Sequence, residues 1–532
     1  MKKNIVFVFI LSLVLSLFNS IGFFAAYIQK PIGTVYLGTI HYWEDYFLYL
    51  NHFFQGAHGG WLTINRFTTE TTNPSIIYWS NVLLGKLSSL IHLSPVMGYN
   101  ASVIILSFFA LVSSYILLRT RIFPLQPKRA FLAFFFASLA TSLINYVKSS
   151  DGSMILWPFQ IWRTPHFAFD RLGGAPHQLM QTLLFYGTVF FLFAPKNMSR
   201  QKELITILFT AGSGVLLASV NPIQAAFLFA GATVLVIANF FINHNVSAPI
   251  PLLRLLITSA ITAIAVLVVS QILNLPPHIQ SKAWEAAQQG STSIDFLLLS
   301  IGPILVFLAI VGFVTSRKTL SPIEWFGLCA IVFGYILFLS PIPKHIGISN
   351  MRILFPSSYV FWGAFAARGL SALGQKLSMP IILILFLLTT VPTLLWELSQ
   401  KMPKATDAAN PLVYLPQDAF AAFSSLSLIL PFDDIVLANP STHMDALVPP
   451  LSGHTTFSGH MLATMNNEEK QMRSRQFFTG QLAQEAAQSF LTNNKIRYII
   501  TTTKSETTTI GQRYPFLGPY KTFGESAAIF AL

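Results

Sequence analysis

Long apolar stretches alternate with short polar connections along most of the chain. A membrane-spanning helix needs about 20 consecutive, mostly apolar residues. Eleven stretches meet this requirement and predict eleven transmembrane helices. They lie at about 4–28, 98–118, 129–148, 178–195, 203–220, 223–243, 253–273, 296–315, 322–341, 353–370 and 379–398.

The first of these stretches follows Lys2 and Lys3, as the apolar core of a signal peptide would. It continues past Asn19 and Ser20 to Tyr27, which is longer than the 7–15 or so residues of such a core. We therefore predict that it is retained as the first transmembrane helix.

The pattern changes after a polar linker at 399–411. The C-terminal region then predicts strands at 434–438, 496–501 and 526–532, and helices near 466–478 and 481–493. Leu482, Ala486 and Phe490 recur at helical spacing in the second of these helices. The alternation predicts a transmembrane domain over 1–398 and a small α/β domain over 399–532.

Composition supports a polytopic membrane protein, because 53% of the residues are hydrophobic and only 10% are charged. Soluble domains carry about 25% charged residues. The net charge of +13 does not indicate nucleic-acid binding, since no run of Lys and Arg is present. The single cysteine, Cys329, excludes an intramolecular disulfide and a cysteine-based metal site.

The distribution of charge predicts the orientation. Lys and Arg are concentrated in the short loops on the side of the N-terminus, which places that side in the cytoplasm. Eleven spans then place the C-terminal domain outside the cytoplasmic (inner) membrane. The two long loops, 29–97 and 149–177, are also outside, and long loops are usually functional. In the first, polar residues interrupt the apolar stretch after Asn73-Pro74 and predict an interfacial helix.

An adjacent acidic pair, Glu44-Asp45, follows the first span at the start of the first outer loop. A carboxylate there can act as a general base toward a hydroxyl or an amine, or bind a hard divalent cation. The alternative is structural, because acidic residues also stabilise the N-termini of helices.

The loop around this pair resembles that of bacterial membrane glycosyltransferases of the C superfamily, GT-C. It is similar to protein O-mannosyltransferases and to the transferase that adds aminoarabinose to lipid A. The resemblance extends to the layout of spans, loops and external C-terminal domain. The residues that carry it are Glu44-Asp45, Tyr46, Gln55-Gly56, Gly60-Trp61-Leu62, Asn65-Arg66-Phe67-Thr68, Glu70 and Leu84-Gly85.

The resemblance implies transfer of a sugar, hexose or pentose, from a polyprenyl-phosphate donor at the outer face of the membrane. It implies an acidic residue of the first loop as catalytic base, which favours Asp45 and then Glu44. The acceptor is a lipid, a glycan or a protein. Basic and acidic residues of the outer face are candidates for binding the donor and its phosphate: Arg171, Asp170, His177, Arg163, Arg352, Arg66 and Glu70.

Two further questions stay open at the level of sequence. No His or Cys spacing matches a zinc signature; a magnesium or manganese ion on Glu44 and Asp45 is the more plausible cofactor. Competing functions are a transporter or flippase of lipid-linked sugars and a glycan ligase or polymerase that uses a diphosphate-linked donor. The spans hold almost no charge at their centres, which is unlike a transporter.

Overall fold

The structure is a computed structural model, and it describes residues 2–39, 42–243, 250–374 and 378–532. The chain forms two compact units, each built from separate segments. One unit, here the helical unit, comprises Met1–Ser20, Val103–Gln271 and Lys282–Lys401. The other, here the mixed unit, comprises Ile21–Ser102, Ile272–Ser281 and Met402–Leu532.

Each of the eleven predicted spans contains helix. Within the described residues, six helices are long and apolar enough to cross a membrane, or up to eight if each of two bent pairs counts as one span. The pairs are Asn4–Asn19 with Ile21–Ile28, bent by 51°, and Ile294–Ile301 with Pro303–Thr319, bent by 95°. The six are Pro95–Ile122, Arg200–Val220, Pro222–Phe240, Leu252–Ile272, Pro322–Leu339 and Met379–Ala409.

The other three predicted spans form shorter helices: Pro127–Leu139, Pro176–Leu192 and Tyr359–Leu373. The stretch predicted to span at 129–148 stops being helical at Leu139, and Ile144–Lys148 pairs with Met154–Pro158 in an antiparallel hairpin. Its strands hold β-branched and aromatic residues, which favour extended backbone, and Gly152 in the connecting turn has a φ of +85°.

The core of the helical unit is closely packed. The helices Pro303–Ser316 and Tyr359–Leu373 cross where Gly312 and Gly369 lie. A Cβ at Gly369 would stand 1.9 Å from the carbonyl oxygen of Leu308, so only glycine permits this approach. Further helices of this unit are Arg163–His166, Ala168–Arg171 and Ile342–His345. The helix His278–Ala287 begins in the mixed unit and ends in the helical unit.

The mixed unit contains a five-stranded sheet. Its strands are ordered Thr455–Thr456, Ile435–Leu437, Ile496–Thr501, Ala527–Ala531 and Gly518–Phe523. The first three are parallel and the last two join antiparallel. The helices Asn467–Phe478 and Gln484–Asn493 confirm the predicted pair, while Gln417–Leu426, Val448–Ser452 and Lys504–Arg513 were not predicted.

The first outer loop belongs to the mixed unit. It forms the loop-one helix, Trp43–Ala57, and a second helix, Trp79–Leu90, where the interfacial helix was predicted. Strand Thr34–Tyr36 pairs antiparallel with Tyr414–Pro416. Thr464 also donates a hydrogen bond to the carbonyl oxygen of Phe67 at 2.6 Å. The first outer loop and the C-terminal region therefore fold together.

Candidate active site

Glu44 and Asp45 lie in the first turn of the loop-one helix. Tyr42 precedes the helix in the left-handed conformation, with a φ of 56°, and its side chain does not cap the helix. Both carboxylates are stabilised there by the unpaired N–H groups of the first turn. Glu44 is half-buried and Asp45 is exposed. Both carboxylates are therefore placed to stabilise the N-terminus of the helix, which is the structural alternative considered above. Both also remain accessible to solvent.

The surroundings of Glu44 make it a stronger base than an ordinary glutamate. Burial and then the negative charge of Asp45 raise the pKa of Glu44 above its usual value. A higher pKa makes a carboxylate a stronger base near neutral pH. Asp45 also lies close enough to Tyr99 for an electrostatic interaction.

Aromatic residues fix the start of this helix. Tyr46 donates a hydrogen bond to the carbonyl oxygen of Leu37 at 2.8 Å, and its ring lies 4.9 Å from that of Tyr99. Trp43 contacts His443 with ring centroids 4.7 Å apart. His443 was not among the predicted site residues, because it is far from Trp43 along the chain.

Arg66 and Glu70 connect the first outer loop to the C-terminal region. Arg66 pairs with Asp433 and donates to the carbonyl oxygen of Phe432 at 3.1 Å. Lys470 donates to Glu70 at 2.7 Å. Burial acts to raise the pKa of Glu70, but hydrogen bonds from Lys470 and Thr68 outweigh it and leave that pKa below its usual value. These contacts are sufficient to explain both residues structurally.

The second outer loop places Arg163 and Asp170 together in the helical unit. Arg163 Nε donates to Asp170 at 2.8 Å, and Lys401 lies 3.6 Å from the same carboxylate. Glu397 accepts the main-chain N–H groups of Phe169 and Asp170, each at 2.8 Å. Lys401 was not among the predicted site residues.

Arg171 is only 8% exposed and points into the helical unit. Its guanidinium donates to the carbonyl oxygens of Pro165 at 3.1 Å and Ala137 at 3.2 Å, and lies 3.9 Å from the ring centre of Tyr359. A buried guanidinium with these partners is satisfied internally. These contacts explain Arg171 through its packing inside the helical unit. Binding of phosphate by Arg171 stays a prediction.

Arg352 is the most exposed of the three predicted arginines in the helical unit. It forms a two-bond pair with Glu285, with Nε donating at 3.1 Å, and the two side chains are 38% and 36% exposed. Its guanidinium lies 5.7 Å from the ring centre of Trp162, and it is near enough to His177 for an electrostatic interaction. Such a pair can exchange its carboxylate for a phosphate at modest cost.

The described residues do not by themselves form a metal centre. Among them, no group of three or more His, Cys, Asp or Glu side chains is placed to share an ion. Glu44 and Asp45 would supply at most two ligands, whereas magnesium takes six. His41 lies outside the described residues.

Comparison with solved structures identifies the fold. The Archaeoglobus fulgidus oligosaccharyltransferase in its apo form superposes with a TM-score of 0.55 at 11% identity, over 99% of this chain and 74% of that one. The same enzyme, AglB, in complex with an inhibitory peptide and a dolichol-phosphate gives 0.50 at 12% identity, over 97% and 71%. The chain has the GT-C fold.

ArnT from Cupriavidus metallidurans bound to undecaprenyl phosphate is also similar, with a TM-score of 0.49 at 10% identity over 100% of this chain and 98% of that one. No family model and no curated protein sequence matches. The GT-C fold and the apolar helices confirm a multi-pass membrane protein with a C-terminal region that folds as α/β.

Proposed function

We propose that this GT-C protein is an integral membrane glycosyltransferase. It transfers a sugar from a polyprenyl-phosphate donor to a lipid, glycan or protein acceptor on the extracytoplasmic face of the membrane. The observation that carries the proposal is the acidic pair in the first turn of the loop-one helix, within a fold shared with an oligosaccharyltransferase that binds dolichol-phosphate. The fold alone does not imply an activity, so the site has to supply the argument.

Sugar transfer requires a base that deprotonates the acceptor and a cation that stabilises the leaving phosphate. A polyprenyl phosphate is already a good leaving group, so the enzyme has to remove a proton from the acceptor as the new glycosidic bond forms. Asp45 is exposed, and Glu44 has a raised pKa. Either carboxylate can take that proton, and the other keeps the pair negative.

The leaving phosphate needs a cation, and we assign this role first to Arg352. Its pair with Glu285 is partly exposed, and a guanidinium binds two phosphate oxygens at once. Arg163, paired with Asp170, is the second candidate. His177 and Arg171, two further residues of the predicted set, lie in the same unit.

The test uses the full-length protein in native membranes and a panel of undecaprenyl-phosphate monosaccharides. Release of undecaprenyl phosphate is measured for the wild type, Glu44→Gln, Asp45→Asn, the double variant Glu44→Gln/Asp45→Asn and Arg352→Gln. We expect the double variant to lose about 10²-fold or more in rate. Asp151→Asn is the matched control, because Asp151 is an exposed acid of the second outer loop bonded only to its own turn.

The outcomes separate the competing functions. Full activity in the double variant Glu44→Gln/Asp45→Asn excludes the assigned base. Release with diphosphate-linked donors alone identifies a ligase or polymerase. Movement of the intact donor across the membrane without release identifies a transporter.

A further inference from the structure

The first turn of the loop-one helix has an unusual start. Helices normally begin with a Ser, Thr, Asp or Asn side chain that accepts an N–H of the first turn. Here Tyr42 occupies that position in the left-handed conformation, and its side chain makes no such bond. This conformation is unfavourable for a residue other than glycine. Contacts with other parts of the chain also hold the turn that carries Glu44 and Asp45.

One of these contacts comes from the C-terminal region. The ring of His443 lies 4.7 Å from that of Trp43, centre to centre, with an angle of 45° between the planes. Trp43 is the first residue of the helix and directly precedes Glu44. Both residues lie in the mixed unit. The contact therefore acts on the backbone of the acidic pair, one residue away.

The loop around His443 determines the conformation of this residue. It follows strand Ile435–Leu437 in a tight loop in which Ser441 N–H donates to Asn439 at 2.9 Å. His443 itself is left-handed, with a φ of 58°. Strain of this kind persists where the surrounding structure determines the conformation, and it is concentrated at functional sites. One ring of the contact thus belongs to a left-handed residue, His443, and the other, Trp43, directly follows a left-handed residue, Tyr42.

The other end of the helix offers a comparison. His58, which ends the loop-one helix, stacks on Phe54 with centroids 4.0 Å apart and lies 5.7 Å from Phe432 of the C-terminal region. The two histidines therefore contact the same helix at opposite ends. Only His443 contacts the turn with the two carboxylates.

We propose that His443 is a positioning residue: its ring holds the first turn of the loop-one helix against the C-terminal region and so fixes the geometry of the candidate base. The inference rests on the proposed function for its consequence in catalysis. The positioning itself concerns the contact between Trp43 and His443 and the turn from Tyr42 to Tyr46, and it can be tested without an activity.

The first arm of the test does not require activity. Asp45→Cys, in a Cys329→Ser background, puts the only thiol of the full-length protein into the first turn. A thiol at a helix N-terminus has a pKa below the usual value of about 8.5, so the pH dependence of its alkylation by iodoacetamide reports on that turn. We expect His443→Ala to raise this pKa by about half a pH unit, as the helix field is lost.

Two variants make this result specific. His443→Phe keeps the ring contact and should leave the thiol pKa within about a tenth of a pH unit of its value with His443 present, a small part of the field effect. His58→Ala removes the equivalent ring at the far end of the helix and should also leave it unchanged. An unchanged pKa in His443→Ala overturns the proposal, and so does an equal rise in all three variants.

The second arm measures turnover of the undecaprenyl-phosphate monosaccharide that the wild type uses. His443→Ala should lower kcat about tenfold with KM within about twofold, because it misplaces the base without touching the donor, and His443→Phe should restore most of the rate. A rise in KM that phenylalanine does not rescue means that His443 contacts substrate, which overturns the positioning role. If the wild type turns over no donor, the proposed function fails, while the thiol pKa still decides the positioning.

Discussion

Asp445 makes the stability of the mixed unit depend on pH. Its carboxyl group is only 2% exposed. It accepts hydrogen bonds from Ser458 Oγ at 2.8 Å and from the main-chain N–H of Ala446 at 3.0 Å. Burial raises the pKa of Asp445 from 3.8 to about 6 although these hydrogen bonds act to lower it. The folded state therefore holds this proton more tightly than the unfolded state does.

The sign of the effect follows from the raised pKa. The contribution of Asp445 to stability is fully present below about pH 3.8 and is lost as the pH rises through about 6. A shift of about two pH units corresponds to about 3 kcal/mol of folding free energy at neutral pH. Asp445→Asn removes the charge and keeps an acceptor for Ser458, so we expect it to gain up to about 3 kcal/mol over the wild type between pH 4 and pH 8.

The assay is thermal unfolding of the full-length protein in detergent, followed by tryptophan fluorescence from pH 4 to pH 8. The difference in Tm between Asp445→Asn and wild type should rise by several degrees over this interval. Glu525→Gln is the control, because Glu525 is exposed and pairs with exposed Lys504; its difference in Tm from the wild type should stay independent of pH. A difference for Asp445→Asn that is independent of pH would refute the reasoning.

Three further predictions concern packing and topology. Lys470→Met leaves Glu70 without its partner and should lower the stability of the mixed unit by about 1–2 kcal/mol, a value reduced for the partial exposure of Glu70; a lower Tm relative to Lys470→Arg checks it. Gly369→Ala should sharply reduce the yield of folded protein, whereas Gly187→Ala, with open space around it, should not; size-exclusion chromatography measures both. Lys504→Cys, exposed in the C-terminal region, should react with a membrane-impermeant maleimide in intact cells, and labelling only after lysis would place that region in the cytoplasm.

The sequence predicted the elements whose signal is local. Apolar length is enough to place helices such as Arg200–Val220 and Leu252–Ile272, because a membrane imposes length and hydrophobicity directly. Strand Ile496–Thr501 was predicted correctly from its β-branched and aromatic residues. The span predicted at 129–148 was wrong over its last part, which forms the hairpin strand Ile144–Lys148. The length of an apolar stretch does not by itself distinguish a helix from a strand.

The sequence did not predict what depends on distant partners. No local signal connects Trp43 with His443, Glu70 with Lys470, or Arg352 with Glu285, because each pair is brought together only by the fold. The burial of Arg171 has the same origin. Chemistry-bearing residue types could be selected from the sequence, but their partners and exposure, which decide what they can do, are properties of the packed structure.

The central claim is that a carboxylate in the first turn of the loop-one helix takes the proton of the acceptor. The most direct test is the single-turnover rate of sugar transfer in membranes for the double variant Glu44→Gln/Asp45→Asn, with donor binding measured in parallel. We expect a fall of about 10²–10⁴-fold in rate with donor binding unchanged. A double variant that transfers sugar within a few-fold of the wild-type rate would contradict it.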